Sequence, residues 1–96
     1  MYENRFCIVR TNRAGVFFAK VDKLEGSTAQ LRDVRRLWRW VGATECLQLA
    51  QEGVKYPKDC KFPLVVPTMT VLDVIEIIPC TEAAAASLSG VPVWKM

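Results

Sequence analysis

Apolar and polar positions divide this chain into short runs separated by turn signals. Residues 5–11, Arg-Phe-Cys-Ile-Val-Arg-Thr, are apolar at four consecutive positions. A strand with that pattern is apolar on both faces and belongs inside a sheet. Asn12-Arg13-Ala14-Gly15 is a turn signal, with Gly15 able to take a positive φ. Residues 16–24, Val-Phe-Phe-Ala-Lys-Val-Asp-Lys-Leu, form a second strand that Glu25-Gly26-Ser27 ends. The two strands are expected to pair as an antiparallel hairpin.

The stretch from Thr28 to Val41 fits neither template cleanly. As a helix, Leu31, Val34, Leu37, Trp38 and Val41 fall near helical spacing. As a strand, Val34, Trp38 and Trp40 share one parity with Arg32 and Arg36, while Leu31, Leu37 and Val41 share the other with Asp33, Arg35 and Arg39. The polar parity changes part-way, so the strand reading requires a β-bulge near Asp33–Arg36. The preceding meander favours the strand, because consecutive strands tend to pair.

Gly42 breaks the pattern, and a short helix is expected over 44–52. Thr44 would be its N-cap, Glu45 would lie in its first turn and Gly53 would stop it. Residues 62–66 are a short run flanked by Pro63 and Pro67 and read as an edge strand or an extended connection. Val71–Ile78 is the strongest strand signal, ended by Pro79. Thr81 and Glu82 open an Ala-rich helix that Gly90 stops, and a short extended segment follows over 91–94. The order predicts one α+β domain spanning residues 1–96, a small antiparallel β-sheet or a partly open β-barrel with two short helices.

Composition narrows the chemistry. Histidine is absent, which removes the commonest general acid–base group and metal ligand. The five glycines are isolated, so there is no phosphate-cradling loop. Cys7, Cys46, Cys60 and Cys80 lack metal-type spacing and read as buried free thiols of a reducing compartment. Neither catalysis nor a cofactor or metal is expected. The chain opens straight into a strand, so no signal peptide is expected, and no apolar run is long enough for a membrane span. At 51% apolar residues, the chain has a surplus that suits a homo-oligomer interface.

Charge is unevenly spread. All seven arginines lie in the first 40 residues, which carry net +5, whereas the remainder carries net −2. The overall +3 is too small for a dedicated binder of long nucleic acid. Arginine and tryptophan interleave in Arg35-Arg36-Leu37-Trp38-Arg39-Trp40. On a strand, Trp38 and Trp40 would face one way about 7 Å apart with Arg36 in line, and Arg35 and Arg39 the other. Indoles stack on bases and guanidinium groups pair with phosphates. The candidate ligand-binding residues are therefore Arg35, Arg36, Trp38, Arg39 and Trp40, for a small anionic, nucleotide-like ligand. The competing reading packs both tryptophans into the core, with the arginines reaching past them to solvent. Lys55, Lys58 and Lys61 read as a solvated loop, and Trp94 as an anchor for the last segment.

Several segments carry a resemblance: 35–43 (Arg-Arg-Leu-Trp-Arg-Trp-Val-Gly-Ala), 48–50 with 52–54, 60–63 (Cys-Lys-Phe-Pro), and 76–84 with 90–94. In their order they resemble a family of small, uncharacterised bacteriophage and prophage proteins, over roughly residues 5–94. Arg39 departs from the family pattern, which tends to place an aromatic residue there. The resemblance implies a phage origin and action in the host bacterial cytoplasm, and it brings no catalytic residue and no cofactor. It raises the expectation of an anti-defence protein that sequesters a nucleotide-derived immune signal. The alternatives are an inhibitor or accessory factor that binds a host or phage protein, and a minor virion or assembly component.

Overall fold

A computed structural model describes Tyr2 and residues 4–95. Five strands and two helices occur in the order β1 (Phe6–Thr11), β2 (Val16–Glu25), β3 (Thr28–Arg36), α1 (Cys46–Glu52), β4 (Val66–Val71), β5 (Val74–Pro79) and α2 (Glu82–Ser89), with a 3-10 turn at Pro57–Asp59 before β4. The strands form one antiparallel sheet in the order β4-β3-β2-β1-β5. The fold is thus α+β, an open sheet rather than a closed barrel.

The expected hairpin is present: Phe6 pairs with Lys20 and Arg10 with Val16. Thr11 holds its turn, with Oγ1 donating to Gly15 O at 2.9 Å and accepting from Ala14 N at 2.9 Å. Gly15 has φ +102° there, a conformation that side chains other than glycine rarely adopt. The bulge required near Asp33–Arg36 also exists. Phe18 pairs with Arg35 but Lys20 with Arg32, so β3 carries an extra residue, and Asp33 takes φ 53°. This bulge is what switches the polar parity of the segment.

The strong signal at Val71–Ile78 is not one strand. Leu72 and Asp73 form a corner, with Asp73 at φ 56°, and the chain changes partners across it. Before the corner Val71 pairs with Ala29 of β3; after it Val74 pairs with Thr11 of β1. β4 and β5 are therefore consecutive in sequence yet occupy opposite edges of the sheet. In a flat five-stranded sheet those edges would be about 19 Å apart, whereas Val71 and Val74 can be separated by at most about 11 Å. The sheet must coil until these corners meet. Hydrogen bonds from Asn12 N to Asp73 O (2.9 Å) and from Val74 N to Ser27 O (2.9 Å) fasten the junction. Register shifts at Phe18/Lys20 and Val21/Lys23 supply the bend in the ten-residue β2.

Coiling divides the core. The concave face of the sheet encloses Cys7, Val9, Phe17, Ala19, Ala29, Leu31, Val34 and Val71. The other face carries Ile8 and Phe18 and is covered by the helices through Leu49, Ala50, Ala84 and Leu88. The capping residue of α1 is Glu45, one position beyond the expected Thr44; its carboxylate accepts from Leu47 N, while Thr44 binds the side chain of Gln48. Thr81 caps α2 as expected, accepting from Ala84 N, and its hydroxyl also donates to Gln51 O at 2.8 Å, which ties the helices together. At Gly53 a Cβ would strike Ser87, whose hydroxyl bonds both the N–H and the carbonyl of Val54. Pro67 is accommodated because β4 is an edge strand with one unpaired side.

Candidate functional site

The Arg/Trp segment leaves the sheet in its middle. Leu37 N donates the last bond of the hairpin register, to Val16 O at 2.8 Å, and its side chain is buried. Beyond it the backbone is caught by a two-residue bridge: Arg39 N donates to Lys61 O (3.2 Å) and Lys61 N to Arg39 O (2.8 Å). Phe62 then bridges to Val93, and Trp94 N donates to Phe62 O at 2.9 Å. Residues 37–41, 60–63 and 91–94 thus lie side by side, although they are far apart in sequence.

The five candidate residues are dispersed by this arrangement. Arg35 points inward and is 3% exposed. Its Nε donates to Pro63 O at 3.1 Å and its Nη1 to Leu88 O at 3.2 Å, and its guanidinium carbon lies 5.4 Å from the centre of the Phe62 ring. Arg36 is exposed and lies across the Phe17 ring at 5.1 Å. Trp38 is 58% exposed. Arg39 is exposed, and Trp40 packs on the helix-side core. The single-faced array with Trp38, Trp40 and Arg36 in line does not form, because β3 ends at Arg36.

Trp38 instead pairs with Trp94. Their rings stack with centroids 5.0 Å apart and planes 11° from parallel. Lys61 Nζ lies 5.6 Å from the Trp38 centroid and 5.4 Å from that of Trp94. These three distances are nearly equal, so the ammonium sits at the flank of the stack and not over an outer face. The outward face of Trp38 is not covered by it. Directly opposed residues in an antiparallel bridge have Cβ atoms about 4.5–5.5 Å apart, so Arg39 and Lys61 leave the bridge side by side. Like charges in that position are destabilising. Among the described residues neither is paired with a carboxylate.

Arg35 shows a different balance. Burial lowers its pKa below the ordinary value, yet a guanidinium remains charged in proteins. Stripping water from such a cation costs several kcal/mol. Two carbonyls, the π face of Phe62 and the C-terminal end of α2 offset that cost, the last through the partial negative charge of the helix dipole. Nη2 is buried and has no hydrogen-bond partner.

The thiols are chemically quiet. Cys7, Cys46, Cys60 and Cys80 are all buried and unbridged, as their apolar surroundings in the sequence imply. Burial pushes Cys7 and Cys46 up, and burial together with nearby Cys7 pushes Cys80 up to about 12. Cys7, Cys46 and Cys80 are therefore not ready thiolate nucleophiles. Among the described residues no group of three or more Cys, Asp or Glu is placed to hold a metal, and no helix is long and apolar enough to cross a membrane.

Lys61 and Trp94 are the functional candidates that sequence reasoning missed. A lone lysine in a loop and a tryptophan 56 positions after Trp38 carry no local sign that they meet it. The only cue was the recurrence of both in the segments that carry the family resemblance. No curated protein and no solved structure matches the chain. A family model matches residues 4–88, which take in the five strands, α1 and nearly all of α2, but not Trp94. The chain therefore belongs to the family described as a domain of unknown function, DUF6948.

Proposed function

We propose that this protein is a non-enzymatic binding protein that holds a small, nucleotide-like anion on the Trp38–Trp94 stack. The observation that carries the reading is the stacked indole pair, with Trp38 exposed, flanked by Lys61 and with Arg39 opposite Lys61 in the bridge, neither cation paired with a carboxylate among the described residues. A base would extend the stack on the open face of Trp38, and its phosphate would be met by Lys61 and Arg39. The like-charge repulsion between those cations in the free protein would be relieved by the anion. The resemblance to phage proteins supports a more specific role: a phage-encoded anti-defence protein in the host cytoplasm that sequesters a nucleotide-derived immune signal as a homo-oligomer.

The test is calorimetry and thermal shift against linear and cyclic nucleotides. A member of the panel should bind, and Trp38→Ala should weaken it by about 1–3 kcal/mol, at least fivefold in Kd. Folded protein that gives no shift with any member of the panel sinks the reading.

A second reading, a protein–protein inhibitor or accessory factor, is favoured by a specific observation. Leu64, Val65 and Val93 are about half exposed in the segments that run next to the stack. Tryptophan with surrounding aliphatic residues is typical of interface hot spots. A partner that binds through Trp38 in the presence of saturating nucleotide would favour this reading over the first.

A further inference from the structure

We propose that the open edge of β5 pairs with β5 of a second copy of this chain, joining the two sheets antiparallel about a two-fold axis at Ile77. The inference rests on the homo-oligomer of the proposed function, gives it an interface, and uses no residue of the Trp38 surface. The sheet ends in two edge strands, β4 and β5. β4 is blunted by Pro67, which lacks the donor that a further ladder would need. β5, Val-Ile-Glu-Ile-Ile-Pro, has no lysine, and its only proline is its last residue. None of its six residues is fully buried, and Ile75 is 53% exposed.

The register fixes which backbone groups of β5 are open. Cys80 N donates to Phe6 O at 2.9 Å, and pairing runs without a shift from Cys7 with Pro79 to Arg10 with Glu76. Hydrogen-bonded pairs alternate along an antiparallel ladder, so Ile78 and Glu76 bond to β1. The N–H and C=O of Ile77 and the carbonyl of Pro79 then face away from β1. Among the described residues no main-chain bond outside the ladder reaches Ile77 or Pro79.

The pattern on this edge is its own complement. With Ile77 opposite Ile77 of a second copy, each N–H meets the other's carbonyl, an isologous contact. Ile75 then lies opposite Pro79 of the second copy, which would cover its exposed side chain. Charge selects this register over its neighbour. The one charged residue of β5 is Glu76, and Arg10 neutralises it at 3.2 Å. In the chosen register Glu76 stands opposite Ile78 of the second copy. The neighbouring register that also matches open groups sets Glu76 directly against Glu76, which is destabilising. An edge of aliphatic side chains with no unpaired charge suits an identical strand better than a charged peptide segment. The contact is small, so the dimer should be weak.

The test is sedimentation velocity of the full chain without nucleotide, from about 5 to about 500 µM, with amide hydrogen exchange measured at both ends of that range. The mass should pass from monomer to dimer and no further. The Ile77 amide should exchange about tenfold or more slowly at the high concentration, whereas the Glu76 and Ile78 amides, bonded to β1, should be protected at both. Ile75→Lys alters an exposed side chain and puts a charge on the edge. It should weaken dimerisation about tenfold or more and leave the thermal midpoint at low concentration unchanged. Ile77→Pro deletes the open donor but no bond to β1, and it should abolish the dimer. Trp38→Ala should dimerise like the wild type. The proposal is overturned by a chain that stays monomeric across the range, by a dimer whose Ile77 amide exchanges equally fast at both concentrations, by growth beyond a dimer, by a folded Ile75→Lys that dimerises like the wild type, or by loss of the dimer in Trp38→Ala. A dimer that persists while no nucleotide binds would sink only the reading of the Trp38 surface.

Discussion

Arg35 and Trp38 stand three residues apart in one segment, and their burial is the reverse of what their chemistry favours. The arginine is 3% exposed and the tryptophan 58% exposed. The difference lies in what the rest of the chain brings to each. Arg35 meets Pro63 O, Leu88 O and the Phe62 ring, which together replace most of its hydration. Trp38 meets Trp94 on one face and stays 58% exposed. The 60–63 segment thus serves both residues: Phe62 and Pro63 help to seal Arg35, and Lys61 flanks the stack that presents Trp38. Arg35 is held by structural contacts on three of its sides, whereas Trp38 is left facing solvent.

The largest test of this contrast is truncation of the buried cation. Arg35→Ala removes the donors to Pro63 O and Leu88 O and opens a void beside Phe62. It should cost about 3–5 kcal/mol of stability by urea denaturation, summing the lost bond to Pro63 O, the lost bond to Leu88 O (which keeps its backbone donor from Val91) and a cavity. Arg35→Met keeps most of the volume and removes an incompletely bonded charge, so its cost should be smaller, about 1–3 kcal/mol. If Arg35→Met proved as stable as the wild type, the carbonyl bonds would contribute nothing net, and the structural half of the comparison would fail.

Alkaline titration gives the next effect and extends the contrast to buried thiols. Cys7, Cys46 and Cys80 have folded-state pKa values raised above the ordinary 9.0, Cys80 to about 12. A raised folded-state pKa means that the native state holds its proton more tightly than the unfolded chain does. The stability from this source is complete below pH 9 and is lost as pH rises from 9 towards 12. Denaturation midpoints measured across that window should fall, and Cys80→Ala should flatten the slope even though it lowers stability at pH 7. A slope unchanged by Cys80→Ala would show that the thiol is not buried as described.

The smallest expected effect is at the exposed end of the comparison. Trp38→Ala should change stability by less than about 1 kcal/mol, since it removes one stacked pair and little buried area. Trp40→Ala, which opens the helix-side core, should cost more, up to about 3 kcal/mol. Equal losses at the two tryptophans would mean that Trp38 is a packing residue after all.

Much of the fold was legible in the chain. The hairpin, its Gly15 turn, the Thr81 cap and the Gly90 stop all depend on neighbours within a few residues, which is why local pattern revealed them. The bulge at Asp33 was legible for the same reason: a parity switch inside an otherwise apolar run has few other physical causes. The Leu72–Asp73 corner was not legible. Val71–Ile78 alternates well enough for one strand, and what divides it is a change of partner from β3 to β1. Pairing of that kind is imposed by coiling of the whole sheet.

The sequence by itself determined most of the elements, the absence of histidine, the four buried thiols and the Arg/Trp segment as the place to look. These are properties of composition and of spacing over a few residues. Which of the five candidates faces solvent was decided by the tertiary structure alone. Where β3 ends depends on Leu37 finding Val16; where Trp38 rests depends on Trp94; and Arg35 can be buried only because Pro63 and Leu88 turn their carbonyls towards it. Burial is a property of surroundings, and for these residues the surroundings come from segments that lie about 19 to 56 positions away, beyond the reach of any local pattern.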